Sequence, residues 1–123
     1  MKSIAVIGLG LIGASLCAAL KQRDPSIHIC GYARTESTRE QAKGMGLIDR
    51  ACDDIVSAVE AVDTVLIAVP MGQFKSVFAA VYSARQGSTY VTDAGSTKAS
   101  VVTDVMEVAG VMPEWFVPGH PIA

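Results

Sequence analysis

The sequence predicts an α/β fold, a single domain built on a doubly wound parallel sheet. Short β-branched runs alternate with helical stretches of about ten residues, the pattern of parallel strands joined by helical crossovers. The runs 3–7 and 64–69 are apolar without alternating, as expected of strands covered on both faces. Between the first run and the first helix stands a glycine-rich turn, Gly8-Leu9-Gly10.

In chain order, Ser3 to Ile7 reads as a strand broken at Gly8, and Leu11 to Gln22 as a helix rich in Leu and Ala. Asp24-Pro25-Ser26 makes a turn into a second strand, Ile27 to Tyr32. Thr35 to Lys43 is a polar helix closed by Gly44-Met45-Gly46, and Leu47 to Cys52 is a short strand or an irregular segment. Asp54 caps a short helix through Val59 or Glu60, and the strand Thr64 to Val69 ends at Pro70. Gln73 to Ala84 is a helix, Thr89 to Thr92 a strand, Thr97 to Val108 a helix and Trp115 to Val117 a last strand. Repeats, low-complexity tracts and linkers are absent, so residues 1–123 read as one domain.

Composition narrows the function classes. Half of the residues are hydrophobic and 18% are charged, a profile far from disorder. A formal net charge of −2, with acids and bases mixed along the chain, offers no basic stripe for nucleic acid. No run reaches the roughly 18 apolar residues of a membrane span, and the opening run is too short for a signal peptide. A cytoplasmic location is expected. Cys17, Cys30 and Cys52 lack CxxC spacing and read as buried free thiols, not as metal ligands or disulfides; no metal is expected.

Gly8-Leu9-Gly10-Leu11-Ile12-Gly13 is a G-x-G-x-x-G turn, weak alone but stronger after a buried strand and before a helix. Gly8 permits the tight turn, Gly10 lets backbone approach a pyrophosphate, and Gly13 lets helix and strand pack closely. The helix N-terminus then favours the phosphates. A carboxylate after the second strand would bind the ribose 2′-hydroxyl of NAD. This chain instead has Ala33-Arg34-Thr35-Glu36-Ser37. Arg34 suits a 2′-phosphate, with Thr35 and Ser37 as hydroxyl partners, so NADP is expected over NAD, which stays possible. The bland alternative for Arg34 is a solvated loop arginine, and Glu36 remains able to contact a ribose.

Ligands on such sheets gather outside the carboxyl ends of the strands. Val69, Pro70 and Met71 are expected to wall the cofactor, with Gly95 beside it. Ser96 precedes a helix and so serves as an N-cap, alone or together with a catalytic hydrogen bond. His120, between Gly119 and Pro121, is the candidate base, since imidazole titrates near neutrality. Asp93 reads as a loop-fixing acceptor, Lys98 as a solvent-facing residue with a phosphate or carboxylate contact as the alternative, and His28 as structural.

Four segments together resemble the prephenate/arogenate dehydrogenases of tyrosine biosynthesis: Gly8 to Leu16, Ala68-Val69-Pro70, Thr92-Asp93-Ala94-Gly95-Ser96-Thr97-Lys98, and Gly119-His120-Pro121-Ile122-Ala123. The first is common to many dehydrogenases; the last two are far more specific. The resemblance implies a Rossmann-type NAD(P)-binding domain and oxidative decarboxylation of prephenate or arogenate. His120 would accept the substrate hydroxyl proton and Ser96 would orient it. It also implies a homodimer held by a C-terminal helical domain, which this chain lacks. The arginine expected to bind the substrate carboxylate belongs to that domain, so the chain alone is expected to hold half an active site. The rival readings are another Rossmann NADP-dependent reductase, of 3-hydroxyacid or pyrroline-carboxylate type, and a non-catalytic nucleotide-binding module.

Overall fold

A computed structural model describes residues 1–94 and 98–119. The elements are β1 (Ser3–Ile7), α1 (Leu11–Arg23), β2 (His28–Tyr32), α2 (Glu36–Gly44), β3 (Arg50–Ala51) and α3 (Ile55–Glu60). They continue with β4 (Thr64–Ile67), α4 (Met71–Ala84), β5 (Tyr90–Asp93), α5 (Lys98–Ala109) and β6 (Phe116–Val117). One sheet contains all six strands in the order β3-β2-β1-β4-β5-β6, and every pairing is parallel. The chain starts in the middle of the sheet, runs to one edge, returns and runs to the other. This is the doubly wound architecture that the sequence predicts.

Alternation along the strands divides the core between the two faces. Ile4 and Val6 of β1 point to the face carrying Cys17 of α1 and Ala42 of α2. Ala5 and Ile7 point to the opposite face, with Ala58 of α3, Phe74 and Phe78 of α4, and Val101 and Val105 of α5. Phe78 meets Phe116 edge-on at 5.4 Å between ring centroids and stacks on Trp115 at 6.0 Å, so aromatic packing pins the short β6 to α4. The Arg85 guanidinium lies 4.1 Å from the Trp115 ring centroid and closes the cluster from outside.

Several boundaries differ from the sequence expectation, each for a local reason. β3 is only two residues long because Leu47 and Ile48 turn inward onto the α1–α2 face. Main-chain bonds from Asp49 to Ile29 and from Cys52 to Gly31 still tie the segment to β2. β4 stops at Ile67, and α4 begins at Met71, two residues before the expected start. Pro70 is the reason: it lacks an N–H, which a helix start can spare, and its carbonyl accepts from Gln73 at 2.8 Å. His28 opens β2 with an exposed ring whose Nδ1 lies 4.0 Å from the Asp49 carboxylate. Among the described residues no helix is long and apolar enough to cross a membrane.

Candidate functional site

The turn after β1 is fixed from three sides. Gly8 takes φ of +107°, a left-handed conformation that suits glycine, and its N–H donates to the Tyr32 carbonyl at 2.8 Å. A Cβ on Gly8 would overlap the Ala68 carbonyl, and one on Gly13 would overlap the Gly8 carbonyl. These two glycines therefore let β1, β4 and α1 converge. Gly10 differs, because a Cβ there would meet nothing within 4 Å. Its bare backbone faces open space at the start of α1. That helix has no side-chain cap and no acid in its first turn, which leaves its N-terminus suited to an anion.

A cavity of about 640 Å³ extends from this turn across the ends of β1, β2 and β4. Gly8, Leu9, Gly10, Ala33, Arg34, Thr35, Val69 and Pro70 line it, together with Ile7, Tyr32, Thr38, Ile55, Ala68, Gln73, Ser76 and Val77. Among the described residues that line it, Arg34 is the one with a charged side chain. The loop carrying Arg34 is braced from below: Arg39 Nη1 donates to the Ala33 carbonyl at 2.7 Å, with Nη2 3.8 Å from Asp53. The Thr35 hydroxyl caps α2, accepting from the Thr38 N–H at 3.4 Å, and the two hydroxyls share a 2.7 Å bond.

A second cavity, about 360 Å³, adjoins the first through Gly10, Val69 and Pro70 and reaches Leu11, Ile12, Met71 and Ala94. Beyond it an apolar groove of about 610 Å³ runs over β4 and β5 beside α1 and ends at Asp93 and Gly119. β5 and β6 are neighbours in register, Thr92 opposite Val117. Asp93 is buried, and its Oδ1 accepts from the Gly119 N–H at 2.9 Å. The buried thiols are poorly suited to nucleophilic work: burial pushes Cys17 and Cys30 up to about 11. Among the described residues no group of three His, Cys, Asp or Glu side chains converges as metal ligands.

Glycine turn, open helix end and flanking cavities are what a dinucleotide needs. The family model of the prephenate dehydrogenase nucleotide-binding domain matches residues 16–123. The chain belongs to the prephenate dehydrogenase family. It is 37% identical over 122 residues to a cyclohexadienyl dehydrogenase of Zymomonas mobilis, covering 99% of this chain and 41% of that protein. It superposes with a TM-score of 0.87 and 27% identity on prephenate dehydrogenase of Aquifex aeolicus, solved with hydroxyphenyl propionate and NAD+. That match covers 99% of this chain and 42% of the Aquifex protein. Synechocystis arogenate dehydrogenase matches with a TM-score of 0.83 and 27% identity, over 96% of this chain and 40% of its own. The chain thus spans about two-fifths of the length of these relatives.

For a prephenate dehydrogenase family nucleotide-binding domain, the sequence-predicted residues distribute unevenly. Gly8, Leu9, Gly10, Leu11, Ile12, Ala33, Arg34, Thr35, Val69, Pro70 and Met71 line one or both adjoining cavities. Gly13 is buried behind them as a packing residue. Ser37 and Glu36 are exposed on α2 outside the lining, where Thr38 stands instead. Gly95, Ser96 and His120 lie outside the described residues. Sequence reasoning overlooked Gln73 and Ser76, two polar residues three apart on an apolar helix, a spacing that does mark one face. It also overlooked Arg39, which acts through a backbone carbonyl and leaves no spacing signal.

Proposed function

We propose that this chain is the cofactor-binding half of an NADP-preferring dehydrogenase that oxidatively decarboxylates prephenate or arogenate in tyrosine biosynthesis, in the cytoplasm. The observation that carries this reading is the uncapped start of α1 beside Gly10, opening onto a cavity whose one charged residue is Arg34. The α1 N–H groups would hold the pyrophosphate, and Arg34 with Thr35 would hold the 2′-phosphate. The apolar walls Ile55 and Val77 would take the adenine, and Val69, Pro70 and Met71 the path towards the nicotinamide. When bound, the nicotinamide supplies the hydride acceptor. NAD is the second reading, favoured by the Aquifex relative, which was solved with NAD+.

His120 would accept the proton of the substrate hydroxyl as the hydride leaves the same carbon, with Ser96 orienting both groups. The C–C bond to the ring carboxylate then breaks, its electron pair enters the ring, carbon dioxide departs and the new carbonyl oxygen regains a proton. Aromatisation drives that step, so the protein needs orientation and a proton acceptor more than a strong electrophile. Substrate capture and homodimer formation would belong to a C-terminal helical domain. The test is His120→Asn in the full reading frame that encodes this chain. Turnover of both prephenate and arogenate should fall by roughly 10²–10⁴-fold with nucleotide binding kept; retained turnover would overturn the assignment.

A further inference from the structure

We infer that Asp93 is a positioning residue for the proton-accepting loop, acting through the backbone N–H of Gly119; this rests on the reading of His120 as the proton acceptor. β6 has only two residues, and its ladder with β5 ends at Thr92 opposite Val117. The next residue, Pro118, has no N–H to donate. Gly119 is therefore the first donor beyond the ladder, and the Asp93 side chain takes it at 2.9 Å. Asp93 is only 2% exposed, so water competes little for its side-chain oxygens.

Steric fit adds a second restraint. A Cβ on Gly119 would overlap the Asp93 carbonyl oxygen and come within 2.9 Å of Thr92 Oγ1. The loop backbone is pressed flat onto the end of β5, and only glycine permits that approach. Aromatic packing of Trp115 and Phe116 against Phe78 anchors the same loop from the preceding side. His120 is the next residue in the sequence, so a restraint on Gly119 acts on the backbone that leads into it.

The experiment uses the full reading frame, with steady-state kinetics and calorimetric nucleotide titration of Asp93→Ala, Asp93→Asn and Gly119→Ala. Asp93→Ala should lower kcat by roughly 10–100-fold, the scale of a 1 Å misplacement, with KM and nucleotide affinity nearly unchanged. Asp93→Asn, which keeps an acceptor oxygen, should recover much of that loss. In a His120→Asn background Asp93→Ala should cause no further loss, because its effect passes through His120. Should Asp93→Ala fail to fold, Gly119→Ala decides, with the same split of kcat from KM. An unchanged kcat in either folded variant overturns the inference, as does equal loss in both histidine backgrounds. If His120→Asn itself stays active, the underlying mechanism fails instead, and the two failures are told apart.

Discussion

Methyl groups placed on the glycines of the first turn meet different fates. On Gly13 the added carbon runs into the Gly8 carbonyl, a backbone atom that cannot swing aside. Gly13→Ala should therefore destabilise the fold by roughly 3 kcal/mol or more, the upper end of overpacking costs. On Gly10 it meets open space, so Gly10→Ala should change stability by less than about 1 kcal/mol while weakening nucleotide binding. Thermal melts with and without nucleotide separate the two; equal melting temperatures would refute the division of roles. Both glycines were legible in the sequence because spacing encodes them. Thr38 lines the cavity and Ser37 does not, because with Thr35 as the cap of α2 the residue three further on shares its face. Asp93 reads as a loop-fixing acceptor in the sequence, but that its partner is the Gly119 N–H, and that Arg39 reaches the Ala33 carbonyl, no residue pattern records.

Between elements, Asp49 binds the junction of α1, β2 and the segment leading to β3. It accepts from the Lys21 ammonium and from the Ile29 N–H at 2.8 Å. Burial pushes its carboxyl up, but Lys21, the Ile29 N–H and the nearby His28 outweigh that and hold it below 3.8. A carboxylate depressed in the folded state contributes stability above its unfolded value and loses it as pH falls through the folded value. Stability should accordingly decline below pH 3.8, and Asp49→Asn should make that decline shallower. Urea midpoints measured down the acid range check this; an unaltered acid slope would remove Asp49 from the account. Strand and helix order was readable because hydrophobic period and caps such as Asp54, which accepts from the Ser57 N–H at 2.7 Å, are local. The brevity of β3 was not, since it depends on Leu47 and Ile48 finding a core that only the folded chain provides.

Across the whole molecule, two cores on opposite faces of one sheet hold the strand ends in register, and the cavities lie where those ends diverge. The cysteines sit within these cores, with Cys17 on one face and Cys30 and Cys52 on the other. Burial raises all three, with Cys17 and Cys30 pushed up to about 11. Thiol reagents at neutral pH should label the native chain slowly and all three cysteines at once on denaturation. Rapid labelling of the native form would show that the cores open more readily than their packing implies. The most direct test of the account is calorimetric titration of this chain with NADP and NAD, repeated on Arg34→Ala. Both should bind saturably, NADP more tightly, with Arg34→Ala weakening NADP by roughly 1–3 kcal/mol and NAD far less. Tighter binding of NAD would contradict the role of Arg34, and no binding of either at millimolar concentration would contradict the nucleotide site itself.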